Sequence, residues 1–182
     1  MLGPVDQSIQ LGDGGTGFTT ELNAYYNINH RIGLYGNVYY LFNPREHNGV
    51  STSRGGPTSA SSILYRSDVM SVPDQYMFRA GINVNFNRLT LSAGVRDECV
   101  PARDAIGGSN GFRRPGYIVS VEPGLQYHIK GGMLYAFAPV AIVRNRTQSV
   151  PDKIRTAETG TYAIGDAAFA DYLVNIGLAI QF

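Results

Sequence analysis

The stretch Phe18-Thr-Thr-Glu-Leu-Asn-Ala-Tyr-Tyr-Asn-Ile28 decides the fold. Phe18, Thr20, Leu22, Ala24, Tyr26 and Ile28 form one row; Thr19, Glu21, Asn23, Tyr25 and Asn27 form the other. Successive side chains of a strand point to opposite faces, so this segment reads as a strand with one uncharged face and one polar face. After Asn29-His30-Arg31 the alternation resumes, with Ile32, Leu34, Gly36, Val38, Tyr40 and Phe42 against Gly33, Tyr35, Asn37, Tyr39 and Asn43. Working outward, the same period returns over 78–86, 89–96, 117–129 and 170–182. Residues 133–146 are apolar on both faces for much of their length, which leaves their register open. Seven strands are clear, and Val5 to Leu11 is a possible short eighth.

Charge separates the two faces. Where the register is readable, the apolar rows carry no charged residue, while the opposite rows carry Glu21, Arg79, Arg96, Glu122 and Asp171. The runs last about 10 to 14 residues, whereas globular strands peak near 5–6 and a tilted strand needs about 9–11 to cross a bilayer. The connections also take sides. Asn29-His30-Arg31, Asn87-Arg88 and Lys130-Gly131-Gly132 are short turns, while 44–75, 97–115 and 147–169 are long and polar. Antiparallel strands put alternate links at opposite ends, so all short turns share one end, as in bacterial outer-membrane barrels. Aromatic residues gather near both ends of the apolar rows: Phe18, Tyr40, Phe42, Phe78, Tyr117 and Tyr172 above, Tyr26, Phe86, Tyr127 and Phe182 below. The expected architecture is an all-β, antiparallel up-and-down transmembrane β-barrel forming a single domain over 1–182. Residues 1–15 are expected as an extracellular segment or partial strand.

Composition narrows the function. Of 182 residues 16% are charged, below the roughly 25% of soluble domains, and 22 are Gly. A net charge of +1 argues against a nucleic-acid partner. Cys99 is the single cysteine, which excludes an internal disulfide. The longest apolar run, Met133 to Val143, contains Pro139 and is far short of the ~20 residues of a spanning helix.

Three stretches carry a resemblance. Asp171-Tyr-Leu-Val-Asn-Ile-Gly-Leu-Ala-Ile-Gln-Phe182 ends on Phe182 and places Tyr172, Val174, Ile176, Leu178 and Ile180 at every second position before it. It resembles the C-terminal signature of bacterial outer-membrane β-barrels. That resemblance implies an outer-membrane location, a lipid bilayer around the protein and recognition of this strand by the barrel-assembly machinery. Asp6-Gln-Ser-Ile-Gln-Leu-Gly-Asp-Gly-Gly15 and Arg144-Asn-Arg-Thr-Gln-Ser-Val-Pro-Asp152 resemble segments of outer-membrane proteins linked to degradation of phenol- and toluene-like compounds, which are grouped with the long-chain fatty-acid transporters. This implies a barrel with more strands and passage of a small hydrophobic ligand. No plugging segment is readable, so no ligand residues are carried over. Met1-Leu-Gly-Pro-Val-Asp-Gln-Ser has neither the basic nor the apolar region of a secretory signal, and seven is odd where single-chain bacterial barrels are even. The expectation is the C-terminal part of a larger barrel, with a mature eight-stranded barrel as the rival.

Passage of small hydrophobic compounds is the leading functional reading. Glu21, Tyr25, Tyr35, Tyr39, Arg79, Arg96, Glu122, His128 and Asp171 would face the lumen and shape its selectivity. Alternatively, these charges pair across strands and only satisfy one another, in a structural or adhesive barrel. A soluble lipocalin-like binder, with its apolar rows turned inward, is a third reading. His30, His47 and His128 are scattered without a nucleophile or acid partner, so no catalytic set, metal set or cofactor is expected. Asp6, Asp13, Asp74, Asp152 and Asp166 lie in long-loop regions and read as solvated carboxylates. The Ser/Gly-rich span Ser51 to Ser62 is expected to be the most mobile part.

Overall fold

The computed structural model describes residues 14–53, 56–167 and 169–181. The long alternating runs form strands β1 (Phe18–Asn27), β2 (Ile32–Phe42), β5 (Gln75–Phe86), β6 (Leu89–Val100) and β7 (Gly116–Ile129). They are followed by β8 (Gly132–Phe137), β9 (Val140–Arg146) and β10 (Asn175–Ile180). The connection after β2 carries β3 (His47–Ser51), α1 (Ala60–Leu64) and β4 (Val69–Ser71), and the one before β10 carries α2 (Val150–Thr159). The main sheet is antiparallel in the order β1-β2-β5-β6-β7-β8-β10, with β9 also on β7; β3 and β4 pair separately. Among the described residues β1 and β10 do not pair, so the sheet curls strongly into a half-barrel rather than closing. The candidate strand Val5 to Leu11 lies outside the described residues, as does Phe182.

Local chemistry explains the turns. The side-chain oxygen of Asn29 accepts the amides of Arg31 and Ile32 at 2.8 and 2.9 Å, closing the β1–β2 hairpin. Asn87 (φ 51°) and Gly131 (φ 78°) adopt the left-handed backbone that the other two tight turns require. All three turns share one end of the sheet, and the long connections share the other.

The apolar run over 133–146 is one strand position in two pieces. β8 pairs the lower half of β7 and β9 pairs its upper half, with Ala138 and Pro139 between them. Pro139 has no N–H to give to a ladder; its carbonyl accepts the amide of Leu173 at 3.0 Å instead. The register shifts between Val119 and Ser120, which leaves Ile142 as the extra residue of a bulge. Pairing settles the register the sequence left open: Leu134 and Ala136 share the face of Tyr127 and Leu125, and Tyr135 and Phe137 share that of Gln126 and Gly124. The C-terminal strand is interrupted in a similar way. Tyr172 bridges Val140 in the same register that β10 keeps with β8.

The long connections are more ordered than their polarity suggested. Ser59 caps α1 by accepting the amide of Ser62, so the last three residues of the Ser51 to Ser62 span begin a helix. α2 begins with a capping box between Ser149 and Asp152 and ends at Gly160 in the left-handed conformation. Asp152 is thus a helix cap rather than a free carboxylate. Asp6 and Asp13 lie outside the described residues.

Burial is inverted relative to a soluble domain. Among the described residues Val72 is the one buried hydrophobic side chain, whereas Asn37, Thr90, Ser92, Ser120 and Glu122 on the main sheet are all buried. Leu22, Leu34, Ile82, Val95, Leu125 and Ile176 of the apolar rows are exposed, Ile176 at 72%. The polar rows line the concave face, and the apolar rows form the outer one.

Candidate functional site

The centre of the concave face is a line of four charges. Arg79 of β5 and Arg96 of β6 are direct cross-strand partners, and Glu122 of β7 lies one pair further along, opposite Gly94. Arg79 donates from Nε to Glu122 Oε1 at 2.9 Å and makes a second bond to the same oxygen from its terminal nitrogen. Arg96 reaches Glu122 Oε2 at 3.4 Å and Glu98 Oε1 at 2.6 Å. Glu122 is 1% exposed, so both of its positive partners are needed to hold its charge in the interior. The guanidinium of Arg79 also lies 5.2 Å from the centre of the Phe137 ring.

Small residues make this arrangement possible. Tyr35, Gly81, Gly94 and Glu122 are successive cross-strand neighbours. The Tyr35 ring lies flat over both glycines: a Cβ at Gly94 would stand 2.2 Å from the Tyr35 hydroxyl, and one at Gly81 2.5 Å from it. Tyr135 covers Gly177 in the same manner. Aromatic rings laid over strand glycines shield the backbone where no side chain can.

Above this line, toward the long connections, the concave face opens into a cavity of about 570 Å³. Tyr39, Met77, Ile118, Phe169 and Leu173 supply much of its wall, Arg96 and Glu98 lie on its charged side, and Arg114 also lines it. It offers an apolar body of space next to fixed charges. Such a cavity suits a small, mostly hydrophobic molecule.

The long connections are tied together beside it. Arg113 grips Asp104 with two bonds of 2.7 and 2.6 Å and also donates to Ser71 Oγ. Asp74 is completely buried: one oxygen accepts the amide of Asn43 at 2.7 Å, the other the Tyr40 hydroxyl at 2.9 Å and the Ala105 amide at 2.8 Å. Reading Asp74 as a solvated carboxylate is therefore corrected. Its donors come from the end of β2, the connection that follows it and the connection after β6, which meet only in the folded chain. Glu46 accepts the backbone and side-chain amides of Asn110, which hold its carboxyl below the usual carboxylate range against the opposing effect of burial.

The sequence candidates separate into groups. Arg79, Arg96, Glu122 and Tyr35 come together. Tyr39 belongs to the cavity above them, and Tyr25 is opposite Tyr35 on the exposed strand β1. Glu21 accepts from Asn37 and Asn23 in a separate network. His128 is exposed near the short-turn end, opposite Met133. Asp171 pairs with Arg144 at 2.5 Å on the exposed rim, and Asp166 with Arg146. Sequence reasoning missed Glu98, although it lies two residues from Arg96 and therefore on the same face. It also missed Phe137, Phe169 and Leu173, and the Asp104–Arg113 pair, whose partners no periodicity reveals.

On the outer face the aromatic residues at the long-connection end form a band. Phe18 stacks on Phe42 at 4.8 Å, Phe42 meets Tyr40 at 4.3 Å, and Tyr40, Tyr76 and Phe78 continue it across β1, β2 and β5. Among the described residues no group of three His, Cys, Asp or Glu side chains is placed to hold a metal ion. The chain is thus an all-β protein with a curled antiparallel sheet, polar inside and apolar outside. No family model matches it, and no curated protein or solved structure is significantly similar to it.

Proposed function

We propose that this chain is the wall of a bacterial outer-membrane β-barrel that lets small hydrophobic compounds pass. The observation that carries the reading is the inversion of burial. Half-exposing a Leu or Val to water forgoes about 1 kcal/mol. Repeated along every strand of the sheet, that loss exceeds the ~5–15 kcal/mol by which a whole domain is stable. Lipid tails against the outer rows remove the penalty, and the aromatic band fits an interfacial girdle. The short turns then face the periplasm and the long connections the outside. The row Tyr172, Val174, Ile176, Leu178 and Ile180, with Phe182, is the strand read by the barrel-assembly machinery.

Two features favour passage. Among the described residues no strand pairs with the outer edges of β1 and β10, which further strands between them would satisfy, and a wider barrel encloses a lumen that eight strands do not. The apolar cavity beside the Arg79–Glu122–Arg96–Glu98 line offers a hydrophobic molecule a resting place within that wall. A structural or adhesive barrel is the second reading, favoured by the mutual neutralisation of those four charges. Both are tested by reconstituting the full-length protein into liposomes and measuring entry of a neutral aromatic tracer. Tracer entry above that of protein-free liposomes is expected, and a block on replacing Ile118 by Trp; no entry leaves the structural reading. Retention of a monodisperse state in detergent-free buffer would remove the membrane itself from the account.

A further inference from the structure

We infer that the outer end of the protein carries a binding site for a phosphate-type anion, in a second cavity of about 360 Å³ lined by Arg66, Arg103, Ser109, Asn110 and Val150. The site does not rest on the transport reading. Three separate connections build it: the one after α1, the one between β6 and β7, and the start of α2. Arg66 and Arg103 are both exposed, and among the described residues neither has a carboxylate within 4 Å. Arg66 spends one donor, at 3.4 Å, on the side-chain oxygen of Asn110, and four of its five N–H groups remain free among the described residues. Asn110 is itself held by Glu46 through two bonds of 2.7 and 2.9 Å, so the arm that orients Arg66 is fixed before any ligand arrives.

The negative groups nearby are already spent. Asp104 lines the cavity, but its carboxylate is gripped by Arg113 and also accepts from the Asp74 amide and Ser109. Glu46 Oε1 is occupied by Asn110, and its Oε2 faces His47 at 3.3 Å. A further observation concerns Arg66 itself. Arg66 adopts a left-handed backbone (φ 59°), a conformation that favours Gly or Asn, and its carbonyl is pinned by the Gly111 amide at 2.9 Å. Arg66 and Arg103 line the same cavity, and among the described residues neither has a carboxylate partner, so an anion held there would neutralise two positive charges at once. Val150, the first residue of α2, also lines the cavity, although the N-terminus of that helix is already capped by Ser149 and Asp152. Planar guanidinium forks suit the oxygens of a phosphate group, whether free or on a lipid headgroup.

The test uses the full chain in nonionic detergent micelles at fixed ionic strength, titrated calorimetrically with inorganic phosphate and, separately, with phosphatidic acid doped into the micelles. Phosphatidylcholine is the control lipid. Saturable binding of inorganic phosphate assigns a free anion; saturation by phosphatidic acid alone assigns a headgroup. In either case the double variant R66N/R103Q is expected to bind at least tenfold more weakly, and R88Q, at the opposite end of the sheet, to bind as the parent does. Asn at 66 tolerates the left-handed backbone, so this variant removes charge without adding strain. No saturable binding in either titration, or equal affinity of R66N/R103Q and the parent, would overturn the assignment.

Discussion

Arg79 and Arg96 stand directly opposite each other on neighbouring strands, two positive charges in a pairing position that ordinarily repels. Glu122 resolves the conflict from a third strand by accepting from both. The inner face is therefore organised around a carboxylate that belongs to neither arginine's own hairpin. Its position depends on the register of β6 with β7.

Replacing Glu122 by Gln keeps its shape but leaves two guanidinium groups facing each other. Breaking a buried charge cluster costs about 3 kcal/mol. The denaturant midpoint of the variant is expected to fall accordingly, and replacing Arg79 by Met in the same protein to restore part of the loss. An unchanged midpoint for E122Q would show that water already screens the cluster.

The two glycines under Tyr35 predict a steric effect of comparable size. A Cβ at Gly94 would meet the Ala80 carbonyl oxygen at 2.7 Å as well as the tyrosine hydroxyl, and the backbone cannot step aside cheaply. Gly94→Val is expected to destabilise by about 2 kcal/mol through overpacking. In the Y35A background the same substitution loses one of its two clashes and is expected to cost less. A double-mutant cycle measures that difference.

Arg113 ties the long connections through a fork that Lys cannot reproduce. R113K is expected to cost about 2 kcal/mol, the worth of lost hydrogen bonds to a charged group. It should accelerate amide exchange over 69–74 and 101–112 while leaving the centres of β6 and β7 protected. Exchange that rises uniformly across the sheet would show that the tie supports the sheet rather than the connections.

Glu46 gives a pH dependence whose sign is fixed. Its folded carboxyl lies below the ordinary value of 4.5, chiefly because the Asn110 amide donates to its charged form. Its contribution to stability is thus complete above the ordinary carboxylate range and is lost as pH falls through the lower folded value. Protection of the Asn110 amide is expected to decay on acidification below about 4.5, and E46Q to remove that acid-dependent step.

The sequence by itself determined the long strands of the main sheet, their alternation and the placing of short turns at one end, but not β3, β4 or the break between β8 and β9. Each feature it determined depends on contacts along a single segment: which side chains share a face, and which residues tolerate a tight reversal. Pairing across strands was not legible there. The two apolar faces of 133–146 gave no preferred register until Gly124 and Gln126 took Phe137 and Tyr135 as partners, and Pro139 then set the break. The Glu122 cluster was visible as separate charges, but their convergence depended on two glycines that let a tyrosine lie flat between them. The Asp74 and Asp104 network left no local trace, because its donors come from connections roughly 30 residues apart. Alternation is a property of the chain, whereas neutralisation of a buried charge depends on what the fold brings beside it, so only the tertiary structure decided the site.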